Sequence, residues 1–392
     1  MEAVKERAQA IMDRYTQSGF CAGSSLLILQ HGEEKLYAQS GWADRENQIP
    51  VQRDTLFRLY SMSKPITGCA AMILLERGVI DLYEPVSQYL PGFKNCMVRG
   101  RGTPEPAARP VRIRDLLSMT SGLPYGDEDT QAGKGALSLF AEIGRRLHSE
   151  APMTTVEIAN RMGENGLSFH PGERWMYGTS ADVMGAVIEQ ASGMRFGEFL
   201  KKELFEPLGM KDTAFYVPEE KRARLTKVYE ETENGATPIH TEHLGIYCEQ
   251  NSAPAFESGG AGLVSTLDDY AQFARMLRNG GRLGETVILQ PSTVRFFTSG
   301  RLEPWQETSF TSQFDGLAGF TYGNFMRVLK DPGRAFMNAG VGSYGWDGWL
   351  GPYFANDPEN DLTLLMMLQR KDSGTVSMTR ELINLITAAF GR

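Results

Sequence analysis

Apolar residues recur at helical spacing at the start of the chain, where Val4, Ala8, Ile11, Met12 and Tyr15 stand among charged neighbours. That pattern predicts an amphipathic helix over Met1 to Ser18. The pattern then changes to a continuous apolar run from Gly23 to Gln30, followed by the turn signal His31-Gly32 and a second strand-like run from Lys35 to Gly41. The far end mirrors this arrangement. Gly348 to Ala355 and Leu362 to Leu368 read as two strands joined by the turn-rich segment Asn356 to Asp361. A last helix is predicted with Leu382, Ile383, Ile386, Ala389 and Phe390 on one face.

Between about 80 and 250 the period is mostly helical, over Ile113 to Met119, Thr155 to Met162, Ser180 to Ala191 and Phe196 to Leu204. Turn signals at Ser121-Gly-Leu-Pro124, His170-Pro-Gly172 and Pro207-Leu-Gly209 separate these stretches. The polar stretch Glu230 to His243 reads as an exposed loop. The predicted fold class is α/β (α+β): an antiparallel sheet flanked by helices and built from both chain ends, with an inserted, mostly helical domain. The expected division is 1–80 plus 255–392 for the sheet and 81–254 for the helices. The crevice between them is a natural place for a small-molecule site.

Composition narrows the function. The 392 residues suffice for a sizeable core, and a formal net charge of −8 argues against nucleic acid and offers no basic face to anionic lipid. No apolar run reaches membrane-spanning length, and the N-terminus lacks a secretion signal, so the expected location is cytoplasmic. Cys21, Cys69, Cys96 and Cys248 are scattered and read as buried free thiols. The five histidines show no metal-ligand spacing beyond the local pair His240 and His243, which reads as part of a solvated loop. No metal and no other cofactor is expected.

The candidate chemistry begins at Ser61-Met-Ser-Lys64, the chain's only Ser-x-x-Lys. A serine three residues ahead of a lysine on a helix puts both side chains on one face, a turn apart. An amine held there can take the hydroxyl proton if its own charge is made unfavourable. Ile66, Ala70, Met72, Ile73, Leu74 and Leu75 make the following helix apolar on every face, so it should be buried. Pro65 falls in its first turn and Gly78 where a left-handed cap is expected. Free N–H groups at the helix start would suit a developing oxyanion. A capping serine followed by a first-turn lysine would look the same in isolation.

Two more segments fit this chemistry. Tyr177, in the turn Pro171 to Ser180 before a helix, can present its phenol to a crevice, and a neighbouring lysine would lower that phenol's pKa. Ser343 to Gly351 enters a strand, with Gly348 leaving room for a substrate backbone and the N–H of Trp349 placed to join that of Ser61. Alone, each has a plainer explanation, as an interior tyrosine or a glycine-rich turn.

Together, Ser61-x-x-Lys64, Tyr177-x-Thr179 and Trp346-Asp-Gly348 resemble the three motifs of serine β-lactamases and penicillin-binding proteins. The tyrosine form of the second motif is similar to the class C branch and its relatives, the family VIII carboxylesterases and D-amino-acid peptidases. Asp54 to Arg58, Leu116 to Leu123, Pro207 to Thr213, Gly259 to Thr266 and Asp357-Pro358 resemble further stretches of that family in the expected order. The resemblance implies a β-lactamase/transpeptidase-like fold. It also implies Ser61, Lys64 and Tyr177 as catalytic residues and the N–H groups of Ser61 and Trp349 as an oxyanion hole. Tyr125, Thr179, Trp346 and Gly348 are the expected substrate-binding residues.

Two departures bear on substrate. Thr179 stands where the family usually has asparagine, and offers only a short hydroxyl. Trp346 stands where lysine or histidine is usual, which removes the cation expected to meet a substrate carboxylate and resembles the esterase-type members. The charge of Asp347 would repel such a carboxylate if it faced the site, although strand alternation turns it away towards solvent. The expected activity is hydrolysis of small carboxylic esters through an acyl-enzyme on Ser61, with short esters cleaved best. Amide or peptide hydrolysis with weak β-lactamase activity, acyl transfer, and non-catalytic ligand binding are the alternatives. The expected partner is a small ester or amide substrate, and the oligomeric state is left open.

Overall fold

The computed structural model describes residues 2–233, 235–314 and 316–391. Its centre is an eight-stranded sheet with strands β1 (Gly23–Gln30), β2 (Glu33–Asp44), β3 (Ile49–Pro50), β4 (Phe320–Gly323), β5 (Met326–Leu329), β6 (Tyr344–Asp347), β7 (Tyr353–Asp357) and β8 (Leu362–Leu368). The spatial order is β4-β5-β6-β7-β8-β1-β2-β3, with antiparallel neighbours throughout. The two ends of the chain meet at β1 and β8, where Ser24 pairs with Leu368 and Gln30 with Leu362.

β1 carries no polar alternation because both of its faces are covered. Leu26 and Ile28 join Met366 and Leu368 on one face, under helices α1 (Glu2–Gln17) and α5 (Ser377–Phe390). Leu27 and Leu29 point the other way with Leu365 and Met367, towards helices α2 (Ser63–Glu76) and α4 (Leu267–Arg278). The apolar core on that side continues without a break into the helical region, through Leu116, Ile158, Val187 and Phe199. There helix α3 (Ser180–Ser192) packs against α2, with Gly193 in the left-handed conformation ending it.

Several expectations need correction. Gly348 to Ala355 is not one strand: the Gly348 N–H donates to the Pro352 carbonyl at 2.8 Å and closes a tight turn between β6 and β7. Residues 230–243, of which Asn234 lies outside the described residues, are not a loop throughout. Val228–Thr232 and Gly235–Ile239 pair as an antiparallel hairpin. The helix expected to reach Leu204 is α-helical only over Phe196–Leu200 and widens to a π-helical turn over Lys201–Phe205. The helices Gln131–Arg146, Leu267–Arg278, Pro291–Phe297 and Pro304–Gln313 were not anticipated. Gly78 does take the left-handed backbone beyond the end of α2, at φ 66°.

Among the described residues no helix is long and apolar enough to cross a membrane. The four cysteines are buried and free.

Candidate active site

Ser61 sits in a single 3-10 turn, Tyr60–Met62, that runs directly into α2. The turn is held from both sides. Leu59 donates its N–H to the Leu263 carbonyl, and Phe57–Arg58 pairs with Val264–Ser265. Tyr60, immediately before the serine, has φ 43°, a left-handed backbone that is costly for a bulky residue and is found where surrounding packing imposes it. Its ring is wedged against Trp349, centroids 4.9 Å apart.

Lys64 is fully buried one turn along. Its Nζ lies 2.9 Å from Ser61 Oγ, 3.0 Å from the Tyr125 hydroxyl and 2.7 Å from the Gly260 carbonyl oxygen. Burial drives its pKa down to about 7, against the opposing pull of the Asp182 and Asp347 carboxylates. Tyr177 covers the amine, with its ring centroid 4.7 Å from Nζ, and its phenol oxygen accepts the Trp346 indole N–H at 3.0 Å. The Tyr177 phenol is pushed up, not down as expected. Burial outweighs its hydrogen bonds with Ser61 and Trp346, and Asp347 and Asp182 add to the rise. Burial thus favours the neutral form of both the phenol and the amine.

Ser61, Tyr177, Trp346 and Trp349 line one cavity of about 460 Å³. The N–H groups of Ser61 and Trp349 donate to no protein acceptor among the described residues. Gly348 brings the turn that carries Trp349 against the segment that leads into Ser61. A Cβ there would stand 2.2 Å from the Leu59 carbonyl oxygen, so only glycine lets this turn press against the backbone that carries Ser61.

Three expected substrate contacts are placed differently. The side-chain direction of Gly348 faces the Leu59 carbonyl oxygen and the Pro352 ring, not the cavity. Tyr125 is not among the residues that line this cavity, and its hydroxyl accepts from Lys64 Nζ. Thr179 is 1% exposed, lies outside the cavity lining, and its Oγ1 has no hydrogen-bond partner. Asp347 is not turned out to open solvent but is only partly exposed. Its Oδ2 accepts from Arg327 at 2.6 Å and from the Thr375 hydroxyl, and its side chain lines the cavity. His243 is not a free loop residue either: its ring stacks on Trp349 at 4.0 Å.

Asp182 escaped sequence reasoning. It is buried in α3, accepts from Ser258 Oγ at 2.5 Å and from the Gly260 N–H at 3.1 Å, and so holds the residue whose carbonyl grips Lys64. A lone carboxylate in the apolar run Ala181 to Ile188 was the available signal. Among the described residues no group of three or more His, Cys, Asp or Glu is arranged to hold a metal.

Residues 8–388 match the Beta-lactamase family. The chain belongs to that family. Among its members, Esterase EstB of Burkholderia gladioli is 28% identical over 92% of this chain and 89% of its own length. Lovastatin esterase of Penicillium rubens is 30% identical over 77% of this chain and 73% of its own. The solved structure of EstCE1, described as a hydrolase with promiscuous acyltransferase activity, superposes with a TM-score of 0.82 at 28% identity, covering 100% of this chain and 99% of that one. The mixed α/β architecture with a large antiparallel sheet is the β-lactamase/transpeptidase fold that these family members share.

Proposed function

We propose that the chain is a serine hydrolase of small carboxylic esters that works through an acyl-enzyme on Ser61. The observation that carries this is the set of partners around Lys64 Nζ. A neutral amine has two hydrogens and one lone pair. The Gly260 carbonyl takes one hydrogen and the Tyr125 oxygen can take the other, which leaves the lone pair for the Ser61 hydroxyl 2.9 Å away. With burial holding the amine near pKa 7, Lys64 is the general base and needs no phenolate.

In the first half-reaction Ser61 Oγ attacks the ester carbonyl while its proton passes to Lys64. The oxyanion forms against the N–H groups of Ser61 and Trp349. Collapse expels the alcohol oxygen, which recovers the proton from Lys64, directly or through the neutral phenol of Tyr177. Water then repeats the sequence on the acyl-enzyme and releases the acid. General base action is worth roughly 10²–10⁴ in rate. Each oxyanion donor is worth about 10²–10³.

Trp346 supports the ester assignment. Its single donor is engaged by Tyr177, so it supplies no cation for the carboxylate of a β-lactam or peptide. The esterases among the relatives agree with this assignment. Transfer of the acyl group to a second alcohol is the other outcome of the same intermediate, and the activity described for EstCE1 favours it as a side reaction.

The test is a turnover panel of p-nitrophenyl esters, a D-alanyl peptide and a chromogenic cephalosporin, with Ser61→Ala as control. Esters should be cleaved best, the variant should be inactive, and a fluorophosphonate should label only the parent protein. Fastest turnover of the cephalosporin would reject the ester assignment.

A further inference from the structure

The cavity beside Ser61 has two unlike walls. One is apolar, formed by Phe314, Leu317, Phe320, Met337 and the face of Trp346. The other holds Asp347 with Arg327 and Thr375. These three groups form a closed latch between the sheet and the segment that leads into α5. Arg327 Nη1 donates to Asp347 Oδ2 at 2.6 Å, Arg327 Nη2 donates to Thr375 Oγ1 at 3.0 Å, and the Thr375 hydroxyl donates to Asp347. The guanidinium is held inside this network, with its carbon 5.3 Å from the Trp346 ring centroid and 5.1 Å from that of Tyr353. The carboxylate is not closed off in the same way: Asp347 Oδ1 accepts no hydrogen bond among the described residues.

We propose that Asp347 is a specificity-determining residue whose open carboxylate oxygen disfavours substrates bearing a carboxylate and favours neutral or cationic ones. The inference rests on the esterase assignment above and narrows its substrate class.

The electrostatics of the amine agree: burial lowers the Lys64 pKa, and the Asp347 carboxylate is one of the two groups that pull it back up, so its charge is felt at the reacting centre. The titratable groups facing the amine are Tyr125, Tyr177, Asp182 and Asp347, and the Arg327 guanidinium bonded to Asp347 Oδ2 offsets part of that carboxylate's field while leaving Oδ1 unpaired among the described residues. A second guanidinium, Arg380, lies at the cavity wall, where it donates to the Thr375 carbonyl and to Ser377 Oγ at 2.9 Å each. It is exposed, so water screens it far more than the latch.

The experiment uses two matched ester sets. One varies the leaving group: phenyl acetate, 3-carboxyphenyl acetate and 3-(trimethylammonio)phenyl acetate. The other varies the acyl group: p-nitrophenyl esters of valeric acid, glutaric acid and 4-(trimethylammonio)butyric acid. In at least one set the carboxylate ester should have kcat/KM on the order of tenfold below the neutral ester, as a like charge several Å away in a partly dry site dictates. Asp347→Asn should narrow that ratio several-fold. Because this substitution leaves Arg327 buried without its partner, the double variant Asp347→Asn with Arg327→Gln is measured alongside and should narrow the ratio in the same direction. A carboxylate ester that outpaces its neutral counterpart in either set, or ratios that neither variant changes, would overturn the proposal. Ester turnover that survives Ser61→Ala would instead reject the esterase assignment itself.

Discussion

The indole N–H of Trp346 donates to the phenol oxygen of Tyr177 at 3.0 Å. That bond directs the phenol's own proton away from Trp346, and in the proposed mechanism that proton would serve Ser61 and the departing alcohol oxygen. The tryptophan thus orients the tyrosine, and it also lines the cavity. Trp346→Phe keeps an aromatic face and removes the donor. A hydrogen bond of this kind is worth about 0.5–1.5 kcal/mol. The variant should therefore lose roughly threefold to tenfold in kcat, with a smaller change in KM. Loss confined to KM would assign Trp346 to substrate contact alone.

The opposite pKa directions of Lys64 and Tyr177 dictate a particular pH profile. In the proposed mechanism Lys64 must be neutral to accept the serine proton, and burial brings its pKa down to about 7. kcat/KM should rise through an apparent pKa close to 7 and reach a plateau. Tyr177 is raised above its ordinary value, so the plateau should hold well past pH 9. A base role for the phenolate would instead require activity to climb at alkaline pH. Initial rates on a neutral ester between pH 5 and 10 separate the two.

In the proposed mechanism Asp182 would act through Lys64. Its charge raises the lysine's pKa, and its hydrogen bond to the Gly260 N–H positions the carbonyl that receives the amine. Asp182→Asn retains an acceptor for Ser258 and Gly260 and removes the charge. The acid limb of the kcat/KM profile should then move to lower pH, together with a lower plateau because the amine is a weaker base. A purely structural aspartate would lower the plateau and leave the limb in place.

The fold and the reacting atoms were legible to different degrees. The sheet built from both chain ends followed from β1 and β8, whose continuous apolar runs match the observed strands residue for residue. Ser61 and Lys64 were legible because helix geometry fixes what lies a turn apart, and Tyr177 because its segment completes a known pattern. The turn Gly348–Pro352 was hidden, since its residues are as apolar as the strands beside it and only the Gly348 to Pro352 hydrogen bond breaks the run. The hairpin over 228–239 was hidden for the opposite reason, as polar side chains mask a backbone ladder. The direction of the Tyr177 shift could not be read from spacing, because burial outweighs every neighbour named in the sequence.

Gly348→Ala tests the close approach behind the oxyanion hole. The new Cβ would lie 2.2 Å from the Leu59 carbonyl oxygen and 2.7 Å from Pro352 Cγ. The turn must move away, and the Trp349 N–H moves with it. Overpacking of this kind costs about 1–3 kcal/mol. A folded variant should lose roughly 10²-fold or more in kcat, as removal of one oxyanion donor does. Retention of full kcat would exclude the Trp349 N–H from the reaction.

A neutral buried lysine also leaves a mark on stability. In the unfolded chain the amine holds its proton up to about 10.5, and in the fold only up to about 7. Between those values the unfolded chain binds more protons, so the lysine's contribution to stability improves as pH rises through that window. Below pH 7 the full penalty applies, about 5 kcal/mol for this difference. Lys64→Met removes the titration and should abolish turnover. It also leaves the Gly260 carbonyl without a partner, a cost of about 1–3 kcal/mol that does not depend on pH. The stability of the variant relative to the parent should therefore be clearly more favourable at pH 6 than at pH 10, as measured by urea unfolding at both. An identical difference at the two pH values would mean that Lys64 keeps its proton in the folded protein, and Ser61 would then need another base.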